Sequence, residues 1–403
     1  MDTDVVIGGG GFVGMALALG LAQGGLSVAV VDPVAAAEAL DEGFDGRVSA
    51  LSYTSLRLFR RLTAYEALAP FAQPIEQILV TDARLGKPPS LFSLHFDGEE
   101  IGGPLGAIAE NRAIRHALFR AVAEVAQIRV IAPAAVASVT PSDGAIGVRL
   151  STGEALRSRL LIAADGRDSK MRDEMGIGAV RWDYPQAGLV ATVTHERPHN
   201  GTAYEHFLPA GPFAILPLTG NRSSLVWTER REIAARMMGL EQSAFESEIA
   251  RRFGAHLGAI RQDGPRWSYP LRFHLARDFV RPRFALAGDA AHGIHPIAGQ
   301  GLNLGLRDAA ALIDVVLDAA TLGRDIGALD VLLRYQQWRR FDSFSQAMTM
   351  DALNRLFSND IAPLRLARDL GMGLVDKIAP LRRYFMREAG GDIGRLPSLM
   401  RAE

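Results

Sequence analysis

The sequence predicts an α/β protein in which a Rossmann-like domain is interleaved with an antiparallel sheet and followed by a helical C-terminus. The chain up to Asp32 has the pattern strand, glycine turn, helix, strand, which predicts a βαβ unit. Residues from about Trp182 to Pro270 form alternating, aromatic-bearing runs that favour antiparallel strands. From about Gly301 onward the sequence is mostly helical. The 403 residues, 48% of them hydrophobic, suffice for a large core and more than one domain.

Composition excludes several classes of protein. The 44 basic and 45 acidic residues give a formal net charge of -1, so no global field favours a nucleic-acid partner. The absence of cysteine excludes disulfides, thiolate nucleophiles and cysteine zinc sites. The acidic N-terminus and the lack of any window of ~18 uninterrupted apolar residues argue against a signal peptide or a membrane span. We therefore expect a cytoplasmic protein, peripheral at most on the inner face of the membrane.

The N-terminal turn matches the pattern G-x-G-x-x-G with Gly9, Gly11 and Gly14, between the strand "DVVIG" and a helix. Gly9 allows the tight turn, Gly11 lets the backbone approach a pyrophosphate, and Gly14 lets the helix pack on the strand. Asp32 ends the next strand, where it can accept hydrogen bonds from ribose hydroxyls. Together these features predict a dinucleotide-binding site, although the pattern does not distinguish NAD from FAD.

Two later strands also end in short polar segments, which we call polar stops. "LLIAADGRDSKMRDEMG" ends its strand at Asp165-Gly166, and "RFALAGDAAH" ends its strand at Gly288-Asp289. Open α/β sheets bind ligands at the carboxyl ends of their strands. On this ground alone each stop is either part of a ligand site or an ordinary turn.

The middle of the chain sets the predicted domain boundaries. "ENRAIRHALFRAVAEVA" has helical spacing and precedes short strands, whereas "GLVATVTHE", "TAYEHFLP", "FAILPL" and "SSLVWTE" predict the inserted sheet. We assign 1–75, 101–180 and 271–330 to the nucleotide-binding domain, 76–100 and 181–270 to the sheet domain, and 331–403 to a helical segment. The C-terminal tail "DIAPLRLARDLGMGLVDKIAPLRRYFMREAG" is amphipathic. It fits either a helix pair that covers the core or a surface that touches a membrane.

Other catalytic motifs are weak or absent. His292 and His295 have H-x-x-H spacing, but no carboxylates with ligand spacing accompany them, so we predict no metal site. The G-x-S-x-G elbow of many hydrolases and the phosphate-binding G-x-x-x-x-G-K-[ST] loop are both missing.

Taken together, the glycine fingerprint, the Asp-Gly stop and the Gly-Asp stop resemble the flavin-dependent aromatic hydroxylases related to p-hydroxybenzoate hydroxylase. "HPIAGQGLNLGLRD", from His295 to Asp308, resembles the signature of the ubiquinone-biosynthesis hydroxylase family. The resemblance extends to "DGRVSALSYTS", "ENRAIRHAL" and "GPFAILPL". It implies a glutathione-reductase-type FAD-binding domain beneath a substrate-binding sheet.

The resemblance also implies roles for individual residues. Asp289 would bind the ribityl chain of FAD, Arg47 would lie along the ribityl and pyrophosphate region, and Pro296 would sit against the isoalloxazine. The backbone amides of Gly299, Gln300 and Gly301 would face the ring edge that becomes negative on reduction. The full implied cofactor set is Gly9, Gly11, Gly14, Asp32, Arg47, Asn111, Asp165, Gly288, Asp289, Pro296, Gly299, Gln300, Gly301 and Asn303. The implied substrate wall is Phe207, Pro209, Phe213 and Leu216, although the aromatic residues fit a sheet core equally well.

The implied activity is hydroxylation of the ring of a polyprenylated phenol or quinone precursor of ubiquinone, with FAD, NAD(P)H and O2. The cofactor carries the chemistry, so no side-chain acid or base is assigned. NAD(P)H is expected to bind transiently over the flavin, because no second glycine fingerprint is visible. A membrane surface and other ubiquinone-biosynthesis proteins are the expected partners. Two alternatives stay open: a reductase of the same superfamily that acts on an apolar substrate, and a non-catalytic FAD-containing member of a complex.

Overall fold

The structure, a computed structural model, describes residues 1–40, 46–85, 93–295, 297–358 and 362–402. The strands are β1 Thr3–Gly8, β2 Val28–Val31, β3 Val48–Ser52, β4 Ala72–Ile75, β5 Gln77–Asp82, β6 Ser93–Asp97, β7 Gly106–Glu110, β8 Ile128–Ile131, β9 Val136–Ser142, β10 Ala145–Leu150, β11 Ala155–Ala163, β12 Ala179–His195, β13 Thr202–Leu208, β14 Gly211–Leu218, β15 Arg222–Arg230, β16 Ile260–Ala276, β17 Val280–Arg281, β18 Phe284–Leu286 and β19 His292–Gly293. The helices are α1 Phe12–Gln23, α2 Ala36–Ala39, α3 Tyr53–Arg61, α4 Tyr65–Leu68, α5 Asn111–Ala123, α6 Lys170–Glu174, α7 Arg231–Met238, α8 Gln242–Phe253, α9 Gln300–Thr321, α10 Leu329–Phe357, α11 Ala362–Lys377 and α12 Ala379–Ala389.

The first sheet has a parallel centre in the order β18, β11, β1, β2 and β8. β17 continues it at one edge, and β9 and β10 form an antiparallel extension from β11. Val5, Val6 and Ile7 of β1 are fully buried, as expected of a central parallel strand covered on both faces. The βαβ unit predicted from the first residues is therefore present, with α1 between β1 and β2.

The second sheet has the order β19, β16, β12, β15, β14, β13, β5 and β6. Its pairs are antiparallel except for β13 and β5, which run parallel. One face packs on α7 and α8 through a cluster that includes Phe213, Trp227 and Phe245. Strand alternation predicted this sheet but not α7 and α8, which lie between β15 and β16 and have their own apolar stripe. A small third sheet, in the order β3, β7, β4, lies beside it.

A buried ionic network joins α9, α10 and the loop after β18. Asp308 and Arg339 are fully buried, and Asp308 Oδ1 accepts a hydrogen bond from Arg339 Nε at 2.8 Å. Asp308 Oδ2 contacts His292 Nε2 at 2.5 Å and accepts from the Gly288 backbone amide at 3.1 Å. Burial alone would raise the pKa of Asp308, but His292 and Arg339 hold it below its usual value. The carboxylate is therefore ionised and fixes three elements to each other.

The C-terminal helices pack across the second and third sheets. Arg368 on α11 pairs with Asp82 at 2.8 Å, and both side chains are buried. Asp376 accepts a hydrogen bond from the His95 backbone amide at 2.9 Å, and Met386 on α12 is fully buried. The tail thus covers part of the protein, as one of the two interpretations of its sequence expected. Within the described segments, no helix is both long and apolar enough to cross a membrane.

Candidate functional site

Three loops meet at one edge of the first sheet. Because β18, β11, β1 and β2 are parallel neighbours, their carboxyl ends share that edge. The glycine turn follows β1, Asp165-Gly166 follows β11, and Gly288-Asp289 follows β18. The structure therefore brings together three motifs that lie far apart in the chain, at the place where such sheets bind ligands.

Close backbone contacts account for two of the three glycines in the turn. Gly9 has a φ of 109°, and a Cβ there would lie 2.2 Å from the carbonyl oxygen of Ala164. A Cβ at Gly14 would lie 1.9 Å from the carbonyl oxygen of Gly9. A Cβ at Gly11 would meet no protein atom within 4 Å. Gly11 begins α1, whose first amides have no partner within the helix, so open space lies next to hydrogen-bond donors.

Asp32 is held rigidly at the end of β2. Its Oδ2 accepts a hydrogen bond from the Gly10 backbone amide at 2.6 Å, and its Oδ1 accepts from the Val34 amide at 2.8 Å. A carboxylate has about four acceptor sites. Asp32 can therefore accept from a ribose hydroxyl as well as from the backbone.

Arg172, which the sequence pattern did not assign to the site, links the second and third loops. Its guanidinium is fully buried and donates to the carbonyl oxygens of Arg167 at 3.0 Å and Ala290 at 3.1 Å. Ser169 caps α6 by accepting from the Arg172 amide at 3.0 Å. The helical spacing of Ser169 and Arg172 was visible in the sequence, but the distant carbonyl was not.

A cavity of about 1070 Å³ lies between the first and second sheets. Part of its wall is backbone from the converging loops, with Gly11, Gly166 and Asp289 among its residues. Much of the rest is apolar and comes from the second and third sheets, α10 and α11. Its apolar members include Ile75, Ile78, Val80, Leu94, Phe96, Leu105, Ile108, Leu353 and Met372. The cavity therefore suits a ligand set that is polar at one part and greasy at another.

The turn before α9 forms another part of the cavity wall. Gly299 has a φ of 62° and is the N-cap of α9, where a non-glycine residue would be strained. Gly299, Gln300 and Gly301 border the cavity, and a Cβ at Gly301 would meet no protein atom within 4 Å. The helix begins here with amides that have no helical partner, which favour negative charge nearby. Pro296 lies outside the described residues.

The side chains of Asn303 and Gln300 are engaged with the protein itself. Asn303 Oδ1 accepts from the Ser52 amide at 2.9 Å and the Ser55 hydroxyl at 2.8 Å, while its Nδ2 donates to the Ala50 carbonyl oxygen at 2.8 Å. Gln300 Nε2 donates to the Ala389 carbonyl oxygen at 3.1 Å. These bonds fix the turn to β3, α3 and α12, and the turn borders the cavity.

Two acidic side chains follow β11 and β18, and one of them, Asp289, borders the cavity. Asp289 is exposed toward the cavity yet enclosed by protein, and burial raises its pKa. Burial likewise raises the pKa of Asp165, whose Oδ1 is buried without a hydrogen-bond partner among the described residues. The carboxylate of Asp289, which borders the same cavity as the open backbone at Gly11 and Gly301, matches the needs of FAD. The residues present therefore fit the cofactor.

Arg47 and Asn111 are brought together by the third sheet. The Asn111 amide donates to the Arg47 carbonyl oxygen at 2.9 Å, and Asn111 Oδ1 accepts from the Ser49 hydroxyl at 2.7 Å. Arg47 is exposed, whereas Ser49 borders the cavity.

The four residues of the implied substrate wall occupy different places. Phe207 and Leu216 border the cavity. Phe213 is fully buried on the opposite face of the second sheet, edge-on to Trp227 at 6.2 Å. Pro209 lies in the turn between β13 and β14. Strand alternation explains the difference, because residues 207 and 213 belong to different strands whose pairing was not readable from sequence.

The two histidines of the H-x-x-H pattern have different surroundings. His292 bonds Asp308, whereas the buried His295 lies edge-on to Tyr184 with ring centroids 5.0 Å apart. Burial lowers the pKa of His295 to about 4, so its ring is neutral at pH 7. Within the described ranges, no group of three or more histidine or acidic side chains could hold a metal ion.

Comparison with known proteins agrees with this geometry. The family model described as FAD binding domain matches residues 2–343. Ubiquinone hydroxylase UbiL of Rhodospirillum rubrum is 46% identical, covering 97% of this chain and 90% of that protein. The 3-demethoxyubiquinol 3-hydroxylase of Escherichia coli is 35% identical, covering 96% of this chain and 98% of its own. The structure of p-nitrophenol 4-monooxygenase PnpA from Pseudomonas putida has a TM-score of 0.79 at 18% identity, covering 98% and 99% of the two chains, and supports the fold.

The fold and the three-loop site define an FAD-dependent monooxygenase. More narrowly, the chain belongs to the family of FAD-dependent hydroxylases of ubiquinone biosynthesis. FAD is its cofactor, and NAD(P)H is the co-substrate typical of that family. The predicted fold class, family, cofactor and type of enzyme are thereby confirmed.

Substitutions at Gly11 and Gly14 separate cofactor space from packing. Gly11→Ala should fold normally but weaken FAD binding by about tenfold or more, because its methyl group would enter space that only a ligand fills. Gly14→Ala, the matched control, should lower the free energy of unfolding by about 1–3 kcal/mol through overpacking against Gly9. Chemical unfolding and a fluorescence titration with FAD measure both effects. Wild-type FAD affinity in Gly11→Ala would contradict this placement of the cofactor.

Proposed function

We propose that the protein hydroxylates the aromatic ring of a polyprenylated phenol or quinol on the way to ubiquinone. The observation that carries this proposal is one continuous cavity, whose wall contains the open backbone at Gly11 and Gly301 together with an extensive apolar surface. A flavin ring and a greasy ring substrate would thus share one enclosed space. The names of the two relatives, a ubiquinone hydroxylase and a demethoxyubiquinol hydroxylase, support the same substrate class.

The proposed division of labour places FAD along the three loops. The amides that begin α1 would hold the pyrophosphate, Asp32 the adenosine ribose, and Asp165, Gly288 and Asp289 the region of the ribityl chain. The amides from Gly299 to Gly301 would hold the ring edge, with Arg47, Asn111, Pro296 and Asn303 completing the set. When bound, FAD supplies electron transfer from NAD(P)H and activation of O2. The protein binds, orients and excludes water.

The mostly apolar cavity wall favours a neutral lipid over a small acidic aromatic. Of the three arginines that border the cavity, Arg368 pairs with Asp82 and Arg272 with Asp183 at 3.5 Å, whereas the Nε of Arg167 is buried without a hydrogen-bond partner among the described residues. An acidic substrate would want such cations for its own carboxylate. The apolar side chains that fill most of the remaining wall suit a prenyl chain instead.

We propose three further points. The chain divides into the three domains whose bounds were assigned from the sequence. NAD(P)H binds transiently over the flavin, and the protein contacts other ubiquinone-biosynthesis proteins. NAD(P)H would use the flavin site because the one glycine fingerprint at the carboxyl edge of the first sheet is assigned to FAD.

We infer further that the last helices touch a membrane surface, from which a lipid substrate would enter. Phe341, Leu374, Ile378 and Tyr384 are apolar residues that expose 77%, 58%, 41% and 52% of their surfaces. Basic residues accompany them at Lys377, Arg383 and Arg387. Apolar and basic side chains together suit an anionic bilayer surface. Leu374→Glu with Ile378→Glu should reduce co-sedimentation with anionic vesicles; unchanged sedimentation would contradict the contact.

The function is tested with FAD-loaded protein, NAD(P)H and a prenylated phenol in detergent. Oxygen consumption should depend on the phenol, and mass spectrometry should find a product that has gained one oxygen atom. A strain that lacks the protein should accumulate the unhydroxylated precursor.

Other outcomes would favour the alternatives. Substrate reduction without oxygen consumption would favour a reductase. Bound flavin that NAD(P)H never reduces, even with the lipid present, would favour a non-catalytic member of a complex.

A further inference from the structure

Glu205 places a carboxylate in the apolar wall of the cavity. It borders the cavity together with Ala203, Tyr204 and Phe207 of β13. Ala203 and Phe207 share its face of the strand, because alternate residues point to the same side, whereas the Tyr204 ring packs against His256. In the sheet register its neighbours are Val80 on β5 and Ala214 on β14, which also border the cavity. Glu205 therefore faces the same space as the substrate that we propose.

Two apolar clusters flank this carboxylate along the strand. Phe207, about 7 Å further along the same face, belongs to a cluster with Ile297, Phe357 and Met372. Ile297 precedes Gly299, the first residue of the proposed flavin-edge turn, by two positions. Ala203, on the other side, belongs to the cluster that contains Ile75 and Phe96. Glu205 thus lies between the flavin-edge turn and the greasy remainder of the wall.

No hydrogen bond or ion pair of the described residues engages the Glu205 carboxyl group. Burial raises its pKa to about 7. Six titratable or charged residues from other elements also border the cavity: Asp289, Arg167, Arg272, Tyr269, Arg368 and Glu388. None of them shifts the pKa of Glu205, for which burial is the whole cause.

An apolar substrate without a hydrogen-bond donor would leave Glu205 protonated, whereas a substrate with a donor would keep it ionised. A prenylated ring that fills the cavity displaces the water around Glu205, and an unpaired buried carboxylate is strongly unfavourable. A phenolic hydroxyl removes that cost by donating to the carboxylate. The same contact would orient the ring, because the hydroxyl would be held at Glu205 while the prenyl chain lies along the apolar wall.

We propose that Glu205 is a catalytic residue that accepts the proton of the substrate hydroxyl during ring hydroxylation. This inference rests on the proposed function. As the ring gives electrons to an oxygen atom of O2, which bound FAD would activate, the substrate O–H bond breaks and a carboxylic O–H bond forms on Glu205. The loss of that proton makes the ring more electron-rich where it is attacked.

The proton is returned within the same turnover. The hydroxylated carbon releases its hydrogen as a proton when the ring regains aromaticity, and the second oxygen atom of O2 takes up that proton. The ring oxygen takes its own proton back from Glu205. The second oxygen atom of O2 leaves as water, with the two electrons that NAD(P)H supplied. The carboxylate is thereby regenerated.

The variant Glu205→Gln tests the role while it keeps the size of the side chain. FAD binding and reduction by NAD(P)H should stay within about twofold of wild type, and product formation should fall by about 100-fold or more. Oxygen should then be released as hydrogen peroxide. Glu205→Asp, which keeps the carboxylate but withdraws it, should retain an intermediate rate. Glu232→Gln, at an exposed position on α7, is the charge-matched control and should behave as wild type.

The pH dependence of the hydroxylation rate shows whether the ionised or the protonated form of Glu205 is active. Because the carboxylate form accepts the proton, the wild-type hydroxylation rate should rise with pH through about 7 and then level off. Glu205→Gln should show a low rate without this rise. A wild-type rate that falls as pH rises through 7 would overturn the role, because the protonated form would then be the active one.

Infrared titration of the FAD-loaded protein gives a readout that does not depend on turnover. A protonated-carboxyl band should titrate near pH 7 and should be absent from Glu205→Gln but present in Glu388→Gln. Loss of the band in Glu388→Gln instead would overturn the assignment. Product formation by Glu205→Gln at the wild-type rate would overturn it as well, whereas a wild-type enzyme that forms no product would instead count against the proposed function.

Discussion

The carboxylate of Asp308 is the constraint on which the architecture of the site depends. It is fully buried and is contacted by Arg339 from α10, by His292 and by the backbone amide of Gly288. A buried charge is tolerated only when its partners surround it, so folding of the core forces these groups to converge. Gly288 and Asp289, in the loop after β18, are set in place by that convergence.

The fold then builds one cavity against the fixed loops. Arg172 holds the second loop to the third, and Asn303 holds the turn before α9 to β3. Phe207 and Glu205 of the second sheet border this cavity. The opposite face of the same sheet packs against α7 and α8. Flavin chemistry and an apolar substrate can share the cavity because rigid backbone forms one part of it and side chains of a sheet form the other.

The sequence predicted what local chemistry determines. Gly9 and Gly14 are required by backbone contacts of 2.2 and 1.9 Å that a Cβ would make, so their spacing identifies the turn. The strands and the positions of the three loops at their carboxyl ends followed from apolar runs and polar stops. The family resemblance supplied FAD, which the fingerprint alone could not distinguish from NAD.

Long-range pairing limited the rest of the prediction. Phe213 and Phe207 were both assigned to the substrate wall, but the register of β13 and β14 sends them to opposite faces. Glu205 carried no motif, and its significance depends on the residues that surround it in space. Arg339 lies 31 positions from Asp308 in the sequence, so the pattern around either residue did not predict their ionic network.

The most direct test of this account is the variant Arg339→Leu, measured for both unfolding and FAD binding. It should lose about 3–5 kcal/mol of unfolding free energy, and its affinity for FAD should fall because the loop at Gly288 and Asp289 loses its anchor. Arg334 lies on the same helix as Arg339 and forms an exposed pair with Asp318 of α9. Arg334→Leu should cost no more than about 1 kcal/mol and leave FAD affinity unchanged. Wild-type FAD affinity in Arg339→Leu would contradict the claim that this buried network positions the cofactor site.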